Sequence, residues 1–257
     1  MGKTVLVVAN WKSNGSLADA HVLAMGVRNE CEHIDGVQVV LCPPAVWLTE
    51  VRNIVHDQIH HLAVGLQDIS SEPAGAYTGE IAAALVAGLA QFVIIGHSER
   101  QRLYRESDEQ LHEKIRAALT ASITPVICVG EQQQSSTSKV TLARQLDRVL
   151  HTLTATQRNQ CIIAYEPVWA ISKGKLKSTR PASAEYANEV AEYLHRVVPA
   201  TTKIIYGGSV DAANVLTFVA QPHLDGVLVG AASLHLREFS TLIKNAAKAS
   251  DHADKYR

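Results

Sequence analysis

A chain of 257 residues that is 47% hydrophobic can fill one large core, which excludes a disordered polypeptide. Its 24 basic residues balance 25 acidic ones. Near-neutrality leaves no electrostatic footprint for nucleic acid or an anionic membrane, so an anionic ligand must be held by local geometry.

Short apolar runs recur along the chain. They are Val5 to Ala9, Val37 to Leu41, Leu62 to Leu66, Phe92 to Ile95, Ile123 to Val129, Cys161 to Ala164, Lys203 to Tyr206 and Val227 to Val229. They are rich in Val and Ile and hardly alternate with polar residues, as parallel strands buried on both faces do. Amphipathic stretches separate them, among them Asp108 to Leu119, Leu142 to Leu153 and Ala184 to Val197, which read as helices. Eight strand–helix units in this length predict one closed (β/α)₈ barrel over residues 1–257. A doubly wound open sheet is the alternative, although no Gly-x-Gly-x-x-Gly follows the first run to support a dinucleotide site. The Gln132 to Ser138 segment reads as a surface loop, and residues 250–257 as a frayed polar tail.

Cys31, Cys42, Cys128 and Cys161 are far apart and lack metal-ligand spacing, so reduced thiols and an intracellular setting are expected. Met1 to Thr4 runs straight into a strand without the features of a signal peptide, and no apolar run is long enough to span a bilayer. The expected location is the cytoplasm.

A barrel assembles its site at the C-terminal ends of its strands. Polar residues collect there: Asn10 and Lys12 after the first run, Gly96-His97-Ser98-Glu99-Arg100 after the fourth, Glu166 after the sixth, Gly207-Gly208-Ser209 after the seventh and Gly230-Ala231-Ala232-Ser233 after the eighth. Glu166 is followed at once by Pro167, which stiffens the corner into a Gly- and Lys-containing loop and suits a general base beside a closing segment. Singly, each group reads as an ordinary cap, turn or solvated side chain. Around one barrel axis they face a common pocket, and the two Gly-rich turns on adjacent strands suit a phosphate nest. A helix starting near Ser98 would place its positive dipole end against His97 and favour a neutral imidazole there.

These motifs resemble those of the triosephosphate isomerase family over nearly the whole chain. The resemblance rests on Asn10-Trp11-Lys12, Gly75-Ala76-Tyr77-Thr78-Gly79-Glu80, Ile95 to Arg100, Thr124 to Glu131, Ala164 to Trp169, Tyr206 to Val210 and Asp225 to Leu234, in that order. It implies interconversion of dihydroxyacetone phosphate and D-glyceraldehyde 3-phosphate through an enediolate, in glycolysis and gluconeogenesis, with no cofactor or metal. It implies Glu166 as the base, His97 as the electrophile and proton shuttle, Lys12 as the stabilising ammonium and Asn10 as a polar partner of the same oxygens. Ser172, Ser209, Gly230 and Ala231 would bind the phosphate, while Glu99, paired with Lys12, and Cys128 would support the site. Pro167, Val168, Trp169, Ala170, Ile171, Lys173, Gly174 and Lys175 would belong to a mobile lid. The Thr78 loop would insert into a second copy, giving a homodimer.

The chain departs from the family pattern in places. Ser172 and Lys173 stand where small residues are usual, and Lys175-Leu176-Lys177-Ser178 makes the second hinge longer and bulkier. Ala231 replaces a common glycine, Ser13 a methionine and Gln101 an arginine. The altered lid and Ala231 leave open a related isomerase of four-carbon sugar phosphates. A non-catalytic phosphate-binding barrel is the rival of another class.

Overall fold

A computed structural model describes residues 3–55, 59–170 and 182–253. Eight parallel strands close into a barrel in sequence order: β1 (Val5–Asn10), β2 (Val37–Cys42), β3 (Leu62–Leu66), β4 (Phe92–Ile95), β5 (Thr124–Val129), β6 (Ile162–Tyr165), β7 (Lys203–Tyr206) and β8 (Gly226–Val229). β1 runs in register with β2 from Val5 opposite Val37, and closes the ring on β8 from Leu6 opposite Gly226. The open-sheet alternative is thereby excluded.

The lack of hydrophobic alternation has a direct cause, because each strand serves two cores. Val5, Val7 and Ala9 of β1 point outward into the layer shared with the helices. Leu6 and Val8 point inward, where they meet Val40, Ile94, Cys128, Ala164, Ile205 and Leu228. Ring closure also sets a steric limit. A Cβ on Gly226 would lie 1.9 Å from the Leu6 carbonyl oxygen, so β8 can approach β1 only without a side chain there.

Helices surround the barrel, and short polar residues start several of them. Ser16 and Asp19 form a reciprocal capping box on Leu17–Cys31, Ser107 and Gln110 do so on Asp108–Thr120, and Thr154 and Gln157 on Ala155–Asn159. Each cap stabilises its helix by about 1 kcal/mol.

Two helix boundaries differ from the sequence reading. The helix expected from Leu142 to Leu153 spans Ser138–Leu150, one turn earlier, so that Ser138 enters the buried face with Leu142 and Leu146. The helix expected to reach Val197 ends at Leu194, shortly before Pro199, which cannot continue it. The last helix, Leu236–Ala253, runs into the stretch read as a tail, and residues 254–257 lie outside the described ones. No described helix is long and apolar enough to cross a membrane.

Candidate active site

The C-terminal strand ends surround a cavity of about 640 Å³, lined in part by Asn10, Lys12, His97, Glu99, Glu166 and Ser209. The five strand ends singled out in the sequence meet here, because Gly230 and Ala231 also face this space.

Lys12 is reached through an unusual backbone turn. Its φ is 52°, in the left-handed region, which costs a non-glycine residue about 1–3 kcal/mol unless its surroundings hold it. Two side chains do so. The Lys12 N–H donates to Asn10 Oδ1 at 2.9 Å, and Gln67 Nε2 donates to the Lys12 carbonyl at 2.7 Å. The ammonium then extends past Gly230 and pairs with Glu99 Oε1 at 2.7 Å. Partial burial opposes ionisation of Glu99. The hydrogen bond and charge of Lys12, with His97 and Arg102 behind them, outweigh it and hold the carboxyl below its ordinary range.

His97 caps the helix Ser98–Tyr104. Its Nδ1 accepts from the Glu99 N–H at 3.2 Å, which requires a lone pair on that nitrogen and leaves the ring proton on Nε2. Nε2 faces Glu166 Oε1 at 3.3 Å. Both side chains are buried, Glu166 to 1% exposure.

The two oxygens of Glu166 are in different situations. Oε2 accepts from the Ser98 N–H at the helix start, at 3.1 Å. Oε1 lies near His97 but is not aligned for a hydrogen bond, and it has no such partner among the described residues. Its lone pairs are the ones left to take a proton. Glycines make room for this residue. A Cβ on Gly130 would sit 1.9 Å from the Glu166 carbonyl oxygen, and one on Gly207 would sit 2.8 Å from Glu166 Cγ. Cys128 is buried beside the carboxylate. Burial, and then the charge of Glu166, push its thiol well up, so it is a neutral packing group.

Two further turns that line the cavity follow β7 and β8. Ser209 Oγ donates to the Ala170 carbonyl at 2.9 Å, and Asn214 Nδ2 donates to the Ser209 carbonyl at 3.1 Å, which ties this turn to the segment after β6. Ala231 opens the short 3₁₀ turn Ala231–Leu234. The first N–H groups of such a turn have no carbonyl partner within it and can meet an anion.

The segment just after β6 is anchored from the end of β5. Val168–Ala170 form a 3₁₀ turn just after Pro167. Glu131 Oε1 accepts from Trp169 Nε1 and from the Tyr165 hydroxyl, each at 2.9 Å. Ile171, Ser172, Lys173, Gly174 and Lys175 lie outside the described residues. Thr78 is exposed, on a loop where Gly79 adopts φ 93°. No group of three or more metal-ligating side chains occurs among the described residues.

Three contributors were given no role in the sequence reading. Ser98 acts through its backbone N–H, which no residue type signals. Glu131 stands two positions past β5 and Gln67 directly after β3, so the strand-end rule that picked out the others also applies to them.

The fold and the site define a (β/α)₈-barrel enzyme of the acid–base type, with a buried carboxylate, an imidazole N–H and an ammonium around one cavity. The chain belongs to the triosephosphate isomerase family, whose model matches residues 5–246. It is similar to the triosephosphate isomerase of Dehalococcoides mccartyi (strain CBDB1), at 35% identity over 95% of this chain and 97% of the relative. It is 38% identical to that of Sodalis glossinidius (strain morsitans), again over 95% and 97%. It is 38% identical to that of Paracidovorax citrulli (strain AAC00-1), over 96% of this chain and all of the relative.

Proposed function

We propose that this isomerase interconverts dihydroxyacetone phosphate and D-glyceraldehyde 3-phosphate, in glycolysis and gluconeogenesis. The observation that carries the reading is Glu166, a buried carboxylate with one unpartnered oxygen beside the Nε2–H of His97.

A C–H bond next to a carbonyl is weakly acidic, so its removal needs a base and an anchor for the oxyanion. Glu166 takes the proton from the carbon beside the carbonyl, and the bonding pair moves to make an enediolate. The Nε2–H of His97 donates to the developing oxyanion and carries a proton between the two oxygens. The Lys12 ammonium stabilises the negative charge, and Asn10 steadies the same oxygens. Glu166 then returns its proton to the neighbouring carbon, so no atom is gained or lost. The phosphate rests on the N–H groups of the turns at Ser209 and at Gly230-Ala231, with Ser172 contributing from the lid. Closure of residues 167–175 would exclude water during the enediolate's lifetime.

A small phosphorylated sugar is thus the substrate class. The protein acts as a homodimer in the cytoplasm, with the exposed Thr78 loop reaching its second copy. A non-catalytic binder would have no need of Glu166, and the presence of Asn10, Lys12, His97 and Glu166 in one cavity argues against it.

The test is conversion of D-glyceraldehyde 3-phosphate in a coupled assay, against Glu166→Asp. Fast turnover is expected. Shortening the base should lower kcat by orders of magnitude with inorganic phosphate binding nearly unchanged. An inactive parent would overturn the proposal, and four-carbon sugar phosphates would be assayed next.

A further inference from the structure

The end of β3 carries none of the groups assigned to the reaction, yet the residue just after it reaches the most constrained of them. Gln67 Nε2 donates to the Lys12 carbonyl at 2.7 Å and to the Cys42 carbonyl at 3.0 Å. Both neighbours are acceptors, so only the NH₂ side of the amide fits, and its two hydrogens are both used. The Cys42 carbonyl also accepts from the Trp11 N–H at 3.1 Å, which fastens the same turn to the end of β2. Asn10 holds the N–H of Lys12 and Gln67 holds its carbonyl, so the left-handed residue is clamped on both sides.

We infer that Gln67 is a positioning residue for the Lys12 ammonium. The direction of a side chain is set by the φ and ψ of its own residue. Without the Gln67 bond, Lys12 can relax out of the left-handed region and its ammonium leaves the cavity. The next residue supports the other half of the ion pair. Asp68 Oδ2 binds Arg100 Nη2 at 2.8 Å, and Arg100 directly follows Glu99. Both partners of the Lys12–Glu99 pair are therefore tied to the end of β3.

This inference rests on the reading of Lys12 as the group that meets the substrate's oxygens, and a double-mutant cycle separates the two. Conversion of D-glyceraldehyde 3-phosphate is measured for the parent, Gln67→Met, Lys12→Ala and the double variant, with thermal unfolding of each. Gln67→Met should lower kcat/KM on the order of tenfold, about the worth of a lost buried hydrogen bond. In the Lys12→Ala background the same substitution should change kcat/KM by less than about twofold, because a residue acting only through Lys12 has nothing left to position. A loss that persists at full size without the ammonium, or no loss in either background, overturns the inference. Full activity of Lys12→Ala would instead overturn the reading of Lys12, and the inference with it. If Gln67→Met does not fold, Gln67→Leu completes the same cycle.

Discussion

The Ser98 N–H donates to Glu166 Oε2 at 3.1 Å across 68 residues of sequence, and so the helix after β4 holds the buried carboxylate that follows β6. The contact uses the first N–H of a helix, which has no partner inside it. A charged acceptor at that position is also favoured by the helix dipole.

Ser98→Pro isolates this bond. Ser98 is the first residue of its helix, where proline is well tolerated, and His97 before it already has φ −52° and ψ 139°, compatible with a following proline. The variant should fold, as read by circular dichroism, and kcat/KM should fall on the order of tenfold, as for a lost hydrogen bond to a charge. Parent-like kinetics would show that the base needs no hold from this helix.

Two glycines should respond very differently to alanine. Gly226→Ala puts a methyl group 1.9 Å from the Leu6 carbonyl oxygen where the barrel closes, and the three nearest atoms are all Leu6 backbone. It should destabilise the protein by about 3 kcal/mol or more. Gly79→Ala meets nothing within 4 Å, and its cost comes only from φ 93°, about 1–2 kcal/mol. Urea unfolding of both variants measures the difference, and equal losses would contradict the assignment of β8–β1 as the tight seam.

The Lys12–Glu99 pair predicts a pH dependence of defined sign. The Glu99 carboxyl is held below its ordinary range, so its contribution is present above the unfolded value of about 4.3 and is lost as pH falls through the lower folded value. Glu99→Gln removes the contribution. The stability difference between parent and variant should be constant near neutrality and shrink below about pH 4, and it should be small because Glu99 is 42% exposed and water screens it. Unfolding curves from pH 3 to pH 7 test this. A gap that widens in acid would reverse the sign.

Much of the fold is legible in the chain because burial acts residue by residue. The nearly continuous apolar runs of β2 and β4 admit few roles other than strands covered on both faces, and length then limits the number of layers. Helix ends were less legible. Ser138 starts its helix a turn early because tertiary packing covers it, and local composition around Gln132 does not reveal that. In the site, the chemistry-bearing types at Asn10, Lys12, His97 and Glu166 stood out because they interrupt apolar runs at strand ends.

The sequence by itself determined the barrel and the family and singled out the candidate reacting groups, since these depend on residue type, order and spacing. Only the tertiary structure decided how those groups are held. The Gln67 amide on the Lys12 carbonyl, the Ser98 N–H on Glu166 and the Glu131 carboxylate under Trp169 join positions 55, 68 and 38 residues apart. Such partnerships are settled by strand register and barrel closure, within a few tenths of an ångström, and short-range sequence carries no record of them.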